Sequence, residues 1–573
     1  MSGFVHIKPV ATNRVLPPET LEVKLTEVES QVCTLLDECT RQMKDEKGLS
    51  TSCRVAGGWV RDKLLGSQNN DIDIAVENMM GVTFAEHFVS FVSLQKDLPV
   101  KAVTKIERNP DQSKHLETGR TTVLDIEMDF VNLRSEEYAG DSRIPTEIAF
   151  GTPLQDALRR DLTINTLFYN VHSRSVEDFT GKGLDDLKNG IIRTPLPPKE
   201  TFNDDPLRII RCIRFASRFG FDVVPELKEA ALDPTIQEAL SLKISRERIG
   251  EELDKMMKGR DPLRSIQLIQ ELSLYPHIFS IPEAITSTFS STPGQPITSV
   301  SAATLLRALI EPQTASISSS IALPSVHKTL LSSTLSPGTK SRLFLAAALT
   351  PYRGILYTDS KKKSHFAVEA AIREGTRLGT QNHYLDGIPA LFVAADRLKD
   401  PRLNNDKFQS PCERVAIGLL LRDKCVHNPN TGSHWATSVL FSLLQELVPT
   451  YDAVEDQLDI NRASALIHTY NVFVSRIEEL GLHTSVEAKP ILDGRQVIEA
   501  MGASRPGAWT GQILARVIEW QLEHPDGTMV ECEAWLRAER EAGRIRVENC
   551  APDSASKRTK VTGSGPATKN AKR

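Results

Sequence analysis

Gly57-Gly58-Trp59-Val60-Arg61-Asp62-Lys63-Leu64-Leu65-Gly66-Ser67-Gln68-Asn69-Asn70-Asp71-Ile72-Asp73-Ile74-Ala75-Val76 is the stretch on which the fold turns. A short apolar rise, Arg54-Val55-Ala56, leads into two glycines, and Trp59 to Leu65 then follows a helical pattern. Glycines before a helix let the backbone approach a ligand closely, and the free N–H groups there favour phosphate. Gly66 to Asn70 is turn chemistry. From Asp71 to Val76 the sequence alternates with period two, which on a strand sets Asp71 and Asp73 on one face and Ile72, Ile74 and Val76 on the other.

Two carboxylates side by side repel each other, and a hard divalent cation offsets the repulsion. Mg²⁺ prefers one or two carboxylates together with substrate phosphate oxygens. A phosphate-cradling turn beside such a pair points to nucleotidyl transfer. Taken alone, the same residues also describe a Gly-rich hairpin with a solvated Asp-x-Asp edge, so the blocks downstream decide.

The chain has 573 residues, too many for one core, and three or four structural units are expected. Hydrophobic residues at 40% and charged residues at 25% are ordinary for a soluble protein, and no apolar run approaches the ~20 residues that span a bilayer. A net charge of −5 argues against indiscriminate nucleic-acid binding but leaves room for a local basic groove. None of the eight cysteines forms a Cys-x-x-Cys pair, and no secretory signal is present. Reduced thiols in an intracellular compartment follow, whether cytoplasm, nucleus or mitochondrion. Residues 1–25 are expected as a flexible leader. Residues 551–573 are expected as a disordered basic tail, since Ser554 to Arg573 holds six Lys or Arg and no acid.

Between these ends, a motif-dense region runs to about residue 275. Residues 276–345 turn rich in Ser, Thr and Pro and are expected as a surface insertion with one or two helices, Ala302 to Ile310 foremost. Helical periodicity returns in residues 346–550, as in Arg414 to Arg422, Trp435 to Leu447 and Ile513 to Leu522.

Val123 to Leu133 alternates again, with Leu124, Ile126, Met128 and Phe130 on an apolar face and Asp125, Glu127 and Asp129 opposite. Asp129 is the strongest candidate for a third carboxylate, against the alternative of a solvated face. In Arg159-Arg160-Asp161-Leu162-Thr163-Ile164-Asn165 the adjacent arginines suit triphosphate oxygens. Asp161 and Asn165 lie one helical turn apart and could share a ribose hydroxyl. Asp204-Asp205-Pro206-Leu207-Arg208 is expected to begin a helix, with Arg208, Arg211 and Arg214 following every third residue. Asp205 and Arg208, at i and i+3, offer acceptors and donors to a base edge; the plainer alternative is a helix-stabilising pair.

These blocks resemble, in order, the five signature motifs of class II CCA-adding enzymes, the tRNA nucleotidyltransferases of eukaryotes and most bacteria. They are Gly57-Gly58-x-Val60-Arg61-Asp62 with Asp71-x-Asp73; Arg159-Arg160-Asp161 with Thr163-Ile164-Asn165; Asp178-x-x-Gly181 with Asp185-Asp186-Leu187; Asp204-Asp205-Pro206-Leu207-Arg208 with Arg211-x-x-Arg214; and Glu247-Arg248-Ile249-Gly250-Glu251-Glu252. The fourth usually starts Glu-Asp and here starts Asp204-Asp205.

The resemblance implies an α+β fold: a small mixed β-sheet nucleotidyltransferase head, residues 26–196, then a helical neck with the nucleotide-selecting site, residues 197–275, and a helical body and tail that bind the acceptor and T arms of tRNA. It implies two Mg²⁺ ions on Asp71 and Asp73, with Asp129 as third carboxylate. It implies triphosphate held by Gly57, Gly58 and Arg61, phosphate and ribose held by Arg160, Asp161 and Asn165, and selection of CTP and ATP by Asp205 and Arg208, with Arg211 beside them. Ile106 to Thr118 matches in position the loop that family members need to switch from C to A. Lys361-Lys362-Lys363 and Trp509 to Trp520 are possible tRNA contacts, beside the plainer readings of a solvated loop and a buried helix. A monomer is expected, with no membrane partner. Alternatives are a CC-adding or A-adding partial enzyme, a poly(A) polymerase of the same superfamily, and an inactive RNA-binding protein that keeps the fold.

Overall fold

The period-two stretches form the centre of a seven-stranded sheet in this computed structural model, which describes residues 4–7, 14–106, 117–137, 147–311, 323–332 and 336–545. Its strands are β1 (Cys53–Ala56), β2 (Ile72–Val76), β3 (Thr104–Ile106), β4 (Thr118–Val123), β5 (Ile126–Asn132), β6 (Phe168–Asn170) and β7 (Ser175–Glu177). Their spatial order is β7-β6-β1-β2-β5-β4-β3. Every neighbouring pair is antiparallel except β2 and β5, which run parallel with Asp73 opposite Asp129.

Before the sheet comes α1 (Glu27–Lys47), which opens on a capping box between Thr26 and Glu29. The short α2 (Gly58–Leu64) follows β1. A parallel pair needs a crossover, and α3 (Gly81–Lys96) supplies it after β2. A Cβ on Gly81 would fall 2.1 Å from the Phe130 carbonyl oxygen, so glycine lets α3 start hard against β5. Phe84 and Phe88 then meet the Phe130 ring at centroid distances of 5.6 and 5.7 Å.

The alternation expected from Val123 to Leu133 is broken at its start. Leu124 and Asp125 both have positive φ, 51° and 62°, and form the two-residue turn of the β4–β5 hairpin. Leu124 therefore leaves the apolar face, whereas Met128 and Phe130 stay buried.

From Pro198 the chain turns mainly helical. Asp204 ends the helix Pro198–Asp204 and does not open the next one; Asp205 is extended, and Pro206 leads into α4 (Leu207–Phe219). Then come α5 (Arg246–Met257), a helix over Pro262–Glu271, α6 (Ile297–Ile310) and α7 (Pro337–Ala348).

Within residues 276–345, expected as a surface insertion, 282–296 do lie at the surface, but α6 and α7 belong to the core. α6 packs against α7 and against Pro262–Glu271, with Leu305 and Leu306 fully buried. Its serines are tolerated inside because their hydroxyls bond to carbonyls of the preceding turn, Ser299 to Pro296 at 2.6 Å and Ser301 to Ile297 at 3.5 Å. Composition suggested exposure, and local hydrogen bonding reverses it.

Phe4–Val5 pairs antiparallel with Leu458–Asp459, and Arg14 lies 5.5 Å over the Phe221 ring. Lys361, Lys362 and Lys363 are exposed at the tip of a hairpin. Most of the Ile106 to Thr118 loop and the whole basic tail lie outside the described residues.

The chain divides into two compact units, one of residues 1–402 with 423–475, the other of residues 403–422 with 476–573. In the second unit, helices Gly494–Ala500, Ala508–Glu523 and Met529–Glu541 close on Leu492, Val497, Val517, Trp520 and Leu536. Trp520 is thus a core residue and Trp509 packs partly buried against the same core. Among the described residues, no helix is long and apolar enough to cross a membrane. The seven cysteines among the described residues are free thiols.

Leu306→Ala tests the burial of α6. A core site should lose about 2–5 kcal/mol, seen as a clear drop in melting temperature, whereas a surface site would stay within about 0.5 kcal/mol.

Candidate active site

Asp71 stands exposed just before β2, and Asp73 points from β2 half-buried. Burial, then the charge of Asp71 and that of Asp129, push the Asp73 carboxyl up to about 6, against opposing pulls from Arg160 and Arg120. The three carboxylates therefore feel one another, as their register across β2 and β5 requires. Asp129 is otherwise engaged. Arg120 on β4 grips it with two bonds, Nε to Oδ1 and Nη2 to Oδ2, each 2.7 Å.

On the other side of β2, Gly57 has φ +71°, and a Cβ there would fall 2.7 Å from Arg160 Nη1. Glycine thus admits the Arg160 guanidinium beside the backbone that enters α2. Asp156 holds both Arg159 and Arg160 from its buried position, Arg160 Nη2 at 2.8 Å. Burial alone would raise the Asp156 carboxyl, but the two arginines outweigh it and bring it down to about 2. Arg160 Nη1 also donates to the Asn165 carbonyl at 3.1 Å.

Arg61 is buried between Asp62 and Asn165, its guanidinium 5.0 Å from the Phe215 and Phe219 rings of α4. Asn165, in a 3-10 turn over Thr163–Asn165, donates to Asp161 Oδ1 at 2.8 Å. Asp161 Oδ2 accepts from Arg211 Nε at 2.8 Å. Burial opposes the charge on Asp161, yet Arg211, the Asn165 bond and Arg208 together hold its carboxyl well below the usual range. Arg211 and Arg214 continue to Glu252 on α5.

All of these groups except Asp129, Arg120, Asp156, Arg214, Phe219 and Glu252 line one cavity of about 780 Å³ that carries seven arginines and five aspartates. Of the twelve residues singled out in the sequence, Gly57, Gly58, Arg61, Asp71, Asp73, Arg160, Asp161, Asn165, Asp205, Arg208 and Arg211 line it. Asp129 stands aside, turned to Arg120. Asp161 and Asn165 spend their polar atoms on protein partners, so they brace the arginines. Asp205 and Arg208 share the cavity but do not pair with each other. Asp205 accepts from Arg248 Nη2 and the Leu207 N–H, each at 3.1 Å, because the break in helix at Asp205 turns it from α4 toward α5. Arg208 donates to the carbonyls of Thr201 and Arg159.

Sequence reasoning assigned no part to Asn69, Arg120, Asp156 or Arg218, and quoted Asp62 and Arg248 as members of motifs without giving them a role. Asp156 stood at i−3 and i−4 from the two arginines, and Arg218 continues the arginine stripe of α4 by one more turn; both were visible as spacing. Arg120 depended on strand register, which spacing alone does not give.

Among the described residues, no three His, Cys, Asp or Glu side chains converge as a ready metal cluster. The Asp71–Asp73 pair fits a divalent cation nonetheless, since the like charge of two neighbouring hard oxygen donors is what such an ion relieves.

The raised Asp73 carboxyl makes a pH prediction. Its ordinary value is 3.8, so its charge weakens the ion-free protein progressively as pH rises from about 4 through 6. Asp73→Asn should leave the melting temperature in chelator unchanged at pH 4 and raise it at pH 7. A pH-independent difference would mean that Asp73 does not share a crowded acidic site.

Comparison with known proteins agrees with this geometry. The profile of the poly A polymerase head domain matches residues 53–193, and that of a probable RNA and SrmB-binding site of polymerase A matches residues 234–286. The mitochondrial CCA tRNA nucleotidyltransferase of Saccharomyces cerevisiae is 36% identical over 540 residues, which are 90% of this chain and 94% of that protein. In fold, the chain is similar to the Bacillus stearothermophilus CCA-adding enzyme in complex with CTP, with a TM-score of 0.52 at 17% identity over 91% of this chain and 99% of that one. It is likewise similar to the Thermotoga maritima CCA-adding enzyme complexed with tRNA, with a TM-score of 0.53 at 18% identity over 94% and 100%. The α+β architecture, the arginine-lined cavity under the head sheet and the full-length similarity to the yeast protein place this chain in the CCA tRNA nucleotidyltransferase family.

Proposed function

We propose that this protein completes the 3′ end of tRNA, adding C, C and A from CTP and ATP without a nucleic-acid template and releasing pyrophosphate. The observation that carries the proposal is the meeting, in one cavity, of a carboxylate pair, a cluster of arginines and the Asp205 and Arg208 side chains.

Asp71 and Asp73 would hold Mg²⁺, which when bound neutralises triphosphate charge and eases ionisation of the tRNA 3′-hydroxyl. Arg61, Arg160 and the backbone at Gly57 and Gly58 face the phosphates. Asp161 and Asn165 keep those arginines and Arg211 in place, so their loss should disorder the phosphate side of the cavity. Asp129 serves as third carboxylate when released from Arg120.

Base choice falls to Asp205 and Arg208. Cytosine and adenine both carry an exocyclic amino donor next to a ring-nitrogen acceptor, whereas uracil and guanine carry a carbonyl there. A carboxylate accepts from the amino group and a guanidinium donates to the ring nitrogen. A wrong base leaves these charges without partners, which penalises it. The two side chains do not bond to each other, so a base reaches them in exchange for their present partners: Arg248 and the Leu207 N–H for Asp205, the carbonyls of Thr201 and Arg159 for Arg208. A tRNA duplex would be gripped by shape and backbone charge outside the head. The S. cerevisiae relative's name gives its compartment as mitochondrial, which is compatible with an intracellular site here.

The head-domain profile is described for poly A polymerase, which keeps that activity as the second reading. Incubation with a tRNA lacking its 3′ end separates the two. CTP alone should add two cytidines, and CTP with ATP should add one further adenosine and stop. Asp71→Ala or Asp73→Ala should abolish both while tRNA binding persists. A long adenosine tract, or turnover in either variant, would contradict the proposal.

A further inference from the structure

Asp73, Asp129 and Arg120 occupy one row across three adjacent strands. Asp73 on β2 stands opposite Asp129 on β5 in the parallel pair, and Asp129 stands opposite Arg120 on β4 in the antiparallel pair. Directly opposed residues lie roughly 5 Å apart at Cβ, so the Asp129 carboxylate can turn to either side without backbone movement. Here it turns to Arg120, with two bonds of 2.7 Å.

Glu127, two residues earlier on the same face of β5, also reaches Arg120, Oε1 to Nη1 at 3.2 Å. The guanidinium thus keeps an acceptor if Asp129 leaves it. Its side chain is 40% exposed and that of Asp129 18%, so the pair is reached by solvent and its exchange requires no opening of the core.

We infer that Arg120 is a positioning residue that holds Asp129 away from the Asp71–Asp73 pair in the ion-free protein, and that a divalent cation displaces it, Arg120 falling back on Glu127. The inference rests on the proposal that Asp71 and Asp73 hold the cation. A guanidinium and a divalent ion compete for the same carboxylate, and the ion brings twice the charge. Holding the third acid aside also limits like-charge crowding around Asp73 before the ion arrives.

The test is the affinity of the nucleotide-free protein for Mn²⁺, measured by electron paramagnetic resonance of the free ion, so that no turnover enters. Arg120→Ala should tighten Mn²⁺ binding about two- to fivefold, the scale of a partly exposed ion pair. Arg120→Lys, which keeps the charge but loses the fork, should fall between the variant and the parent. In an Asp129→Asn background, Arg120→Ala should change Mn²⁺ affinity little, because the latch has no carboxylate to hold.

A folded Arg120→Ala protein with unchanged or weaker Mn²⁺ binding would overturn the inference. So would equal tightening in the Asp129→Asn background, since that is a general charge effect. Should Arg120→Ala fail to fold, Arg120→Gln and Arg120→Lys carry the same comparison. The underlying metal proposal is checked separately with Asp73→Asn. If Mn²⁺ affinity survives that change, the cation is held elsewhere and the latch falls with it.

Discussion

A charged carboxylate buried in protein persists only when cations and hydrogen bonds replace the water it gives up, and Asp161 sets that condition for this site. Its two oxygens take the Arg211 guanidinium of α4, the Asn165 amide and the Leu162 N–H. Asn165 in turn orients Arg61, and Arg211 reaches on to Glu252 of α5. One buried acid thereby ties the sheet-bearing head to the first neck helices. Removing it would strand three groups chosen to face it, and the phosphate-facing arginines would lose their common frame.

Around that knot the acids divide into two kinds. Asp156 and Asp161 are overmatched by arginines and stay ionised far below neutral pH. Asp73 is withdrawn from water and crowded by Asp71 and Asp129, so its proton affinity rises. The first kind builds the scaffold, and the second is the kind to which the proposed function assigns a cation.

Much of this was legible in residue order. Alternation at Asp71–Val76 gave the central strand, Gly57 marked a backbone that no side chain could follow, and the arginine stripe of α4 was plain in its spacing. The partners were harder. Asp205 and Arg208 look paired at i and i+3, but the helix breaks at Asp205 and hands it to Arg248, a residue 43 positions on that no local spacing connects. Arg120 meets Asp129 only through hairpin register, itself set by the two positive-φ residues Leu124 and Asp125. The Ser-rich helix α6 misled for a different reason, since hydroxyls satisfied within their own helix carry little penalty for burial.

The account stands on the claim that protein side chains take the place of a template. Relative kcat/KM for CTP, ATP, UTP and GTP in Asp205→Ala and Arg208→Ala proteins tests it most directly. A bidentate base contact discriminates by roughly 1–3 kcal/mol, so preference for CTP and ATP should relax about five- to a hundredfold while divalent-ion affinity is unchanged. Lower activity with the order and spacing of the four nucleotides unaltered would contradict the claim and leave Asp205 and Arg208 as braces of the neck.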